Sequence, residues 1–320
     1  MDTPTFQVPP ARRRLPVDEA IERIGAGDIS DDVVDAFSDI DRVDLIQLQH
    51  AWAGLPADSR LALVRRAVEW ADSDVTREFG RLHRVALADD SEVVRQLAVI
   101  GLWEDQRPDL LALLVELAET DPVADVRAAA VTTVGGLLET RDLDAFSEED
   151  VERVRDVLVG LAGDEADSSI LRRAAVEAIG GLGDDEEVEE ILRFSSTDDD
   201  AALQAAALYA MGTTRSNQWE SIVVAAIGST DSDVRASAVR AVGLIGVGDA
   251  VEPVIEAAGD DDDEVRTAAI GALGALGTPP ATRALRTLLQ DPRPEDVAAL
   301  EAALDEAMIV ADAGRVDAGW

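Results

Sequence analysis

Apolar residues return along this chain in short helical stripes, and each stripe is entered through a cluster of aspartates. In DDDDEVRTAAIGALGALG (260–277), four aspartates run into Val265, Ala269, Ala272 and Leu276, which share one helical face. The stretches DDSEVVRQLAVIGLWED from Asp89, DPVADVRAAAVTTVGGLLE from Asp121 and DSSILRRAAVEAIGGLG from Asp167 read the same way. So do DDDAALQAAALYAMG from Asp198 and DSDVRASAVRAVGLIG from Asp231. With the apolar residue ahead of the arginine as a frame, Val94, Val126, Leu171, Leu203, Val234 and Val265 follow one another at intervals of 32, 45, 32, 31 and 31 residues. Val297 is a weaker seventh, after a further 32. Self-similarity at a fixed period marks stacked repeats, none of which can bury its apolar face alone. The single long interval places an insertion around TRDLDAFSEED, between Thr140 and Asp150.

Each unit reads as two helices. The aspartates supply an N-cap and first-turn anions to the first, helix A. Glycine or TPP ends it, and a second amphipathic helix, helix B, follows: VERVRDVLVGLA, EVEEILRF, VEPVIEAA or PATRALRTLLQ. No useful length alternates with period two, so strands are not expected. A degenerate unit opens with LALVRRAVEWAD at Leu61. Glycine recurs nine residues after the frame residue, as Gly135, Gly180, Gly212, Gly243 and Gly274, and Trp103 takes that place in one unit. A glycine inside a helix costs about 1 kcal/mol relative to alanine, so its recurrence implies close approach of neighbouring helices. The expected organisation is an arm over 1–16 holding four of the chain's 12 prolines, a helical cap over 17–56, repeats over 57–310 and a tail over 311–320 with Trp320 docked or free.

The pattern D-x-x-x-x-V-R-x-x-A-x-x-A-L-G with a second helix resembles the short HEAT repeat, the type also found in phycobilin-lyase-like proteins, over roughly residues 57–310. The resemblance implies an all-α fold, a right-handed α-solenoid (superhelix) of about seven to eight helical pairs. It also implies an Asp–Arg ladder, mapped onto Asp89 with Arg95, Asp121 with Arg127 and Asp260 with Arg266, while Gln204 departs from it. Tetratricopeptide and ankyrin repeats have similar lengths, but neither W-x-x-L-G-x-x-Y nor T-P-L-H occurs here.

Composition sharpens the picture. Apolar residues make up 47% of the chain and aromatics 3%, so the core must be built from Ala, Val and Leu, which suits helices packed at close range. Twenty-eight basic residues, all arginine, face 66 acidic ones, for a formal net charge of −38. Such a surface repels phosphate backbones, so nucleic acid is not expected as a partner. An acidic chain without lysine resembles halophilic proteins from a salt-rich cytoplasm, where salt screens self-repulsion. There is no cysteine, hence no disulfide or thiolate metal site. No apolar run follows Arg12-Arg13-Arg14 and none reaches 18 residues, so a cytoplasmic location without membrane contact is expected.

Little chemistry can be assembled. The histidines are His50 and His83; both are expected to be structural or solvent-facing. Some HEAT-repeat proteins are di-iron hydroxylases of the deoxyhypusine type with His-Glu pairs, and no His-Glu dipeptide occurs here. Neither GxxxxGK[ST] nor GxGxxG is present, and the aspartate runs lack the D-x-[DN]-x-[DN]-G calcium loop. No catalytic, cofactor or metal residues are therefore expected. What remains is surface, with the B helices lining a concave binding face. The stretch DVTREFGRLHRVAL is expected to bury Val75, Phe79, Leu82 and Ala86 and to present Arg77, Arg81 and Arg84 to an acidic group, the competing reading being pairing with local carboxylates. Trp103 and Trp219 are candidate anchors or fillers of gaps between repeats. The expected function is a monomeric, non-enzymatic scaffold that binds another protein, through a basic or acidic segment of it, on the concave face. The alternative is a phycobilin-lyase-like enzyme or accessory acting on a bound chromophore or protein.

Overall fold

The computed structural model describes residues 14–74, 76–105, 107–140, 146–164, 168–183 and 185–317. Among them every regular element is helical, and the architecture is an all-α solenoid of helical pairs. The chain divides into two compact units, Met1–Leu110 and Leu111–Trp320.

The first unit holds α1 (Val17–Gly25), α2 (Asp31–Asp35), α3 (Arg42–Ala51), α4 (Ala57–Ser73), α5 (Gly80–Ala86) and α6 (Glu92–Ile100). Its short opening helices are set by their ends. Asp41 caps α3 by accepting from the N–H groups of Val43 and Asp44, and α1 carries Asp18 and Glu19 in its first turn and Arg23 in its last. Their apolar faces close over one core with α4, where Ile24, Phe37, Leu48 and Leu63 are fully buried.

The second unit runs through α7 (Leu110–Thr120), α8 (Ala124–Thr140), α9 (Glu148–Gly163), α10 (Ser169–Ala178), α11 (Glu186–Ser195) and α12 (Ala201–Thr213). It continues with α13 (Glu220–Ala226), α14 (Ser232–Ile245), α15 (Val251–Ala257), α16 (Asp263–Leu276), α17 (Pro279–Leu288) and α18 (Val297–Asp317). Even-numbered helices from α4 to α16 are the A helices, odd-numbered ones from α5 to α17 the B helices. Gly246 and Gly277 end α14 and α16 in the left-handed conformation, at φ +82° and +56°, which glycine adopts without a Cβ penalty.

The six frame residues are all third in their helices, α6 through α16, and none is more than 4% exposed. Val297 differs. It is the first residue of α18, behind a proline-led 3-10 turn at Pro294–Asp296, and is only half-buried; Leu300, Ala303 and Ala307 fill the core instead. The insertion lengthens its repeat's helices, 17 residues in α8 and 16 in α9, while 141–145 fall outside the described residues.

The framed glycines lie where A helices meet. A Cβ on Gly212 would come within 2.7 Å of Ala241 Cα, one on Gly243 within 2.9 Å of Ala272 Cα, and one on Gly135 within 3.0 Å of Ala178 Cβ. Gly180 meets Ala210 in the same way, at 2.8 Å from its Cα. In these four pairs the alanine is seven residues after the next repeat's frame residue, while Gly274 faces Ala303, six after Val297. Glycine on alanine is the repeat's packing code.

The aspartate runs divide their labour. Asp262 caps α16 by accepting from the N–H groups of Glu264 and Val265. Asp260 accepts the Asp262 N–H at 2.9 Å and receives Arg235 Nε and Nη2 at 2.9 and 3.0 Å. Arg235 comes from the preceding repeat. The Asp260 rung of the expected ladder is thus offset by one unit: within its own repeat the arginine reaches the main-chain carbonyl of that aspartate, and Arg266 also takes the Asp263 carboxylate at 2.6 Å. Arg95 donates to the Asp89 carbonyl at 2.9 Å, Arg266 to that of Asp260 at 3.1 Å, and Gln204 keeps the same bond to Asp198 at 2.6 Å. Asp89 is held from the preceding A helix by Arg60, Nε to Oδ2 at 2.6 Å. A side chain on helix A points towards its N-terminal turn, so its guanidinium clasps the loop ahead of it while its free edge faces the next repeat.

Candidate functional site

The three arginines do not form a free stripe. Only Arg81 and Arg84 lie on α5, because Phe79 is its N-cap and the chain before it is a turn in which Asp74 accepts from the Thr76 N–H. Phe79, Leu82 and Ala86 are buried as the pattern implies; Val75 is outside the described residues. The Arg77 guanidinium stacks 3.8 Å above the Trp70 ring and pairs with Asp35 at 3.2 Å and Asp74 at 3.5 Å. Arg81 donates to the Ile40 carbonyl. Arg84 donates to Asp105 at 2.7 Å and, through both terminal nitrogens, to Asp109 at 2.8 Å. Each arginine therefore carries an intramolecular partner.

The two tryptophans separate cleanly. Trp219 is fully buried in the turn before α13, with Arg193 stacked 4.6 Å from its ring, so it fills a gap between repeats and offers no surface. Trp103, in the 3-10 turn after α6, is 48% exposed.

His83 is structural. It is fully buried against Gly101, where a Cβ would collide with the imidazole ring. Burial pushes its pKa down to about 4, against weaker opposing pulls from the Gly101 backbone and the Asp105 charge. The folded state then binds fewer protons than the unfolded one between the ordinary value near 6.5 and pH 4. Stability is complete above that window and declines on acidification through it, by about 3 kcal/mol in total. Unfolding free energies of the wild-type chain and His83→Gln should therefore converge as the pH drops from 7 to 4.5. Parallel pH profiles would show that His83 does not stay neutral in the fold.

A polar groove in the second unit crosses α10, α12 and α14. It encloses about 340 Å³. Arg173 and Glu177 form one wall and Asp233, Ser237 and Arg240 the other, with Ala202, Ala205, Ala206 and Tyr209 between them. Glu177, Tyr209 and Arg240 each stand six residues after their frame residue, so successive repeats present one long side chain at the same level. Tyr209 Oη donates to Glu139 of α8 at 3.2 Å. Loss of hydration raises the Glu139 and Glu177 carboxyls above their ordinary range, and for Glu177 the Glu139 charge adds to it. Tyr209 is pushed up to about 12, first by burial and then by Glu139. Arg240 pairs with Glu264 at 2.8 Å.

The sequence does carry a signal for this site. At the sixth place after the frame residue the six clear repeats read Ile100, Thr132, Glu177, Tyr209, Arg240 and Gly271. Charged or phenolic side chains occupy it in three consecutive units, one of them the chain's only tyrosine. Among the described residues no cluster of three or more His, Cys, Asp or Glu is placed to hold a metal ion, and no helix is long and apolar enough to cross a membrane.

Capped helical pairs packed glycine on alanine, with an open polar groove over their A helices, define a helical-repeat protein. A family model described as HEAT repeats matches residues 81–170 and 220–305, more than half of the chain. The chain belongs to the HEAT-repeat family. Its fold is similar to that of the CpcE–CpcF complex of phycocyanin lyase from Nostoc, at 16% identity over 71% of this chain and 94% of that one, TM-score 0.48. It is also similar to Escherichia coli YibA, at 17% identity over 79% and 98%, TM-score 0.43. Human deoxyhypusine hydroxylase in complex with glycerol aligns at 16% identity over 91% and 96%, TM-score 0.37. These likenesses are of fold. No curated protein matches the sequence.

Proposed function

We propose that the protein is a non-enzymatic scaffold that binds another protein along the groove over α10, α12 and α14, and that the bound segment places a basic side chain against Glu139 and Glu177. The reading rests on Glu177 in the groove and on Glu139, joined to it through the Tyr209 hydroxyl, both raised above their ordinary range. Arg173 and Arg240 pull Glu177 down only weakly, and among the described residues neither carboxylate has an ion pair. An arginine or lysine from a partner removes that penalty and gains charge-assisted hydrogen bonds. The Tyr209 ring supplies a flat apolar wall for the aliphatic stem of such a residue. The groove lies over A helices, so this site is not on the B helices expected to line the binding face. Trp103, exposed in the first unit, is a candidate second anchor, whereas docking on Arg77, Arg81 or Arg84 would first have to displace their carboxylate partners.

Affinity capture at high salt with the full chain tests the proposal. One protein should be retained in stoichiometric amount by the wild type, and Glu139→Gln with Glu177→Gln should weaken its capture at least ~10-fold while leaving the melting temperature unchanged. Undiminished capture by the double variant refutes the groove as the binding site. A chromophore carried through purification would favour the lyase-like reading instead.

A further inference from the structure

A second groove, remote in sequence from the first, runs between α17 and α18. It encloses about 580 Å³ and is lined by Pro279, Thr282, Arg283 and Arg286 on one side and by Ala307 and Met308 on the other. Arg283 and Arg286 are exposed and one helical turn apart, and neither guanidinium has a hydrogen bond or an ion pair among the described residues. Elsewhere Arg23, Arg84, Arg155, Arg235 and Arg266 each hold one or more carboxylates. Across the groove Met308 is 46% exposed, and the next two residues, Ile309 and Val310, also reach solvent. Two unspent cations therefore face an exposed methionine across the groove, on a molecule of net charge −38.

We propose that this groove docks an acidic amphipathic helix of another protein. Its aliphatic residues would rest on Met308, and two of its carboxylates, one turn apart, would pair with Arg283 and Arg286. The spacing is the argument. Side chains three apart on a helix stand about 5–6 Å from each other at Cβ, so carboxylates at the same interval on a facing helix meet both guanidiniums at once. Each guanidinium offers a planar pair of donors that matches a carboxylate. Met308 is unbranched and polarizable, and adapts to whichever aliphatic side chain arrives. A nucleic acid fits less well: phosphates gain nothing from the apolar wall and are repelled by the rest of the chain. A second copy of this chain brings its own large negative charge to the contact.

The test is fluorescence anisotropy with the full chain and a labelled helical peptide of about 15 residues, leucines on one face and two glutamates one turn apart beside them. The expected result is saturable binding that weakens at least ~10-fold when the glutamates become glutamine, and equally in Arg283→Gln/Arg286→Gln. Both arginines are exposed, so that variant should melt as the wild type does. The proposal is overturned by equal binding of the glutamate and glutamine peptides, by indifference to the double substitution, or by no binding at ~1 mM peptide. It is also overturned if a single-stranded oligonucleotide binds more tightly than the peptide. Sedimentation equilibrium supplies the last arm: a concentration-dependent dimer that disappears in the double variant would assign the groove to a second copy, against the proposal.

Discussion

Arg60→Leu is expected to cost about 3–5 kcal/mol of stability at neutral pH, the amount typical of breaking a buried ion pair by removing one partner. The Asp89 side chain is wholly buried and the Arg60 side chain 11% exposed. Arg60 reaches the carboxylate through Nε at 2.6 Å, and the Trp52 indole and the Ser91 N–H supply further donors at 2.8 and 2.9 Å. Burial alone would raise the Asp89 pKa; the arginine and these donors outweigh it and hold the carboxyl below its ordinary range. In the wild type this contributes stability above the ordinary aspartate value that is lost as the pH falls through the lowered one. In Arg60→Leu the order inverts, and the carboxyl, still desolvated, favours its proton. Urea unfolding should therefore show a large deficit for the variant at pH 7 that narrows towards pH 4. Adding Asp89→Asn should recover part of it. A deficit below ~1 kcal/mol at pH 7 would place the pair among ordinary surface bridges.

The second large effect concerns glycines that look alike in the sequence. Gly212→Val should destabilise by about 3 kcal/mol or more, because the new side chain meets the backbone of α14 at Ala241, which cannot yield as a flexible side chain can. Gly271→Ala, also inside an A helix, should stabilise by up to about 1 kcal/mol, since a Cβ there meets nothing within 4 Å and alanine is the better helix former. Melting temperatures of the two variants should move in opposite directions. A shift of the same sign in both would mean that glycine at the framed position serves helix propensity or folding rate rather than the contact.

The helical pairs, their caps and the frame residues were legible in the sequence because each depends on local chemistry repeated many times. An aspartate ahead of Val265 reads as an N-cap whether or not the neighbouring repeat is known. The ladder was legible only in part. Asp260 and Arg266 are near each other in the chain, but the carboxylate answers to Arg235, and nothing local distinguishes the two arginines. The stripe of Arg77, Arg81 and Arg84 was drawn on a helix that starts later than the apolar spacing suggests. Apart from Asp74, three residues before Arg77, its carboxylates come from Asp35, Asp105 and Asp109, set apart in the chain and brought close only by folding. Trp219 was ambiguous, because an aromatic among small residues fits a surface anchor and a gap filler equally well. The groove over α10, α12 and α14 was written at a fixed place in the repeat. It is visible once one asks which place varies in chemistry while its neighbours stay apolar.

The glycine-on-alanine contact has a consequence for how such a chain changes length. Gly180 meets Ala210, Gly212 meets Ala241 and Gly243 meets Ala272, the same two residue types at the same register each time. A repeat lost or duplicated between any two of these points would leave a glycine facing an alanine at the new junction, with no compensating substitution required. The Gln204 position shows the limit of that freedom. The next loop there carries Ser229 where Asp260 stands one period later, so the charged rung and its uncharged version are interchangeable only as matched neighbours. Growth by whole periods is therefore nearly neutral for the packing layer and constrained by the ladder, and inheritance can lengthen the molecule faster than it can rewire the order of its rungs.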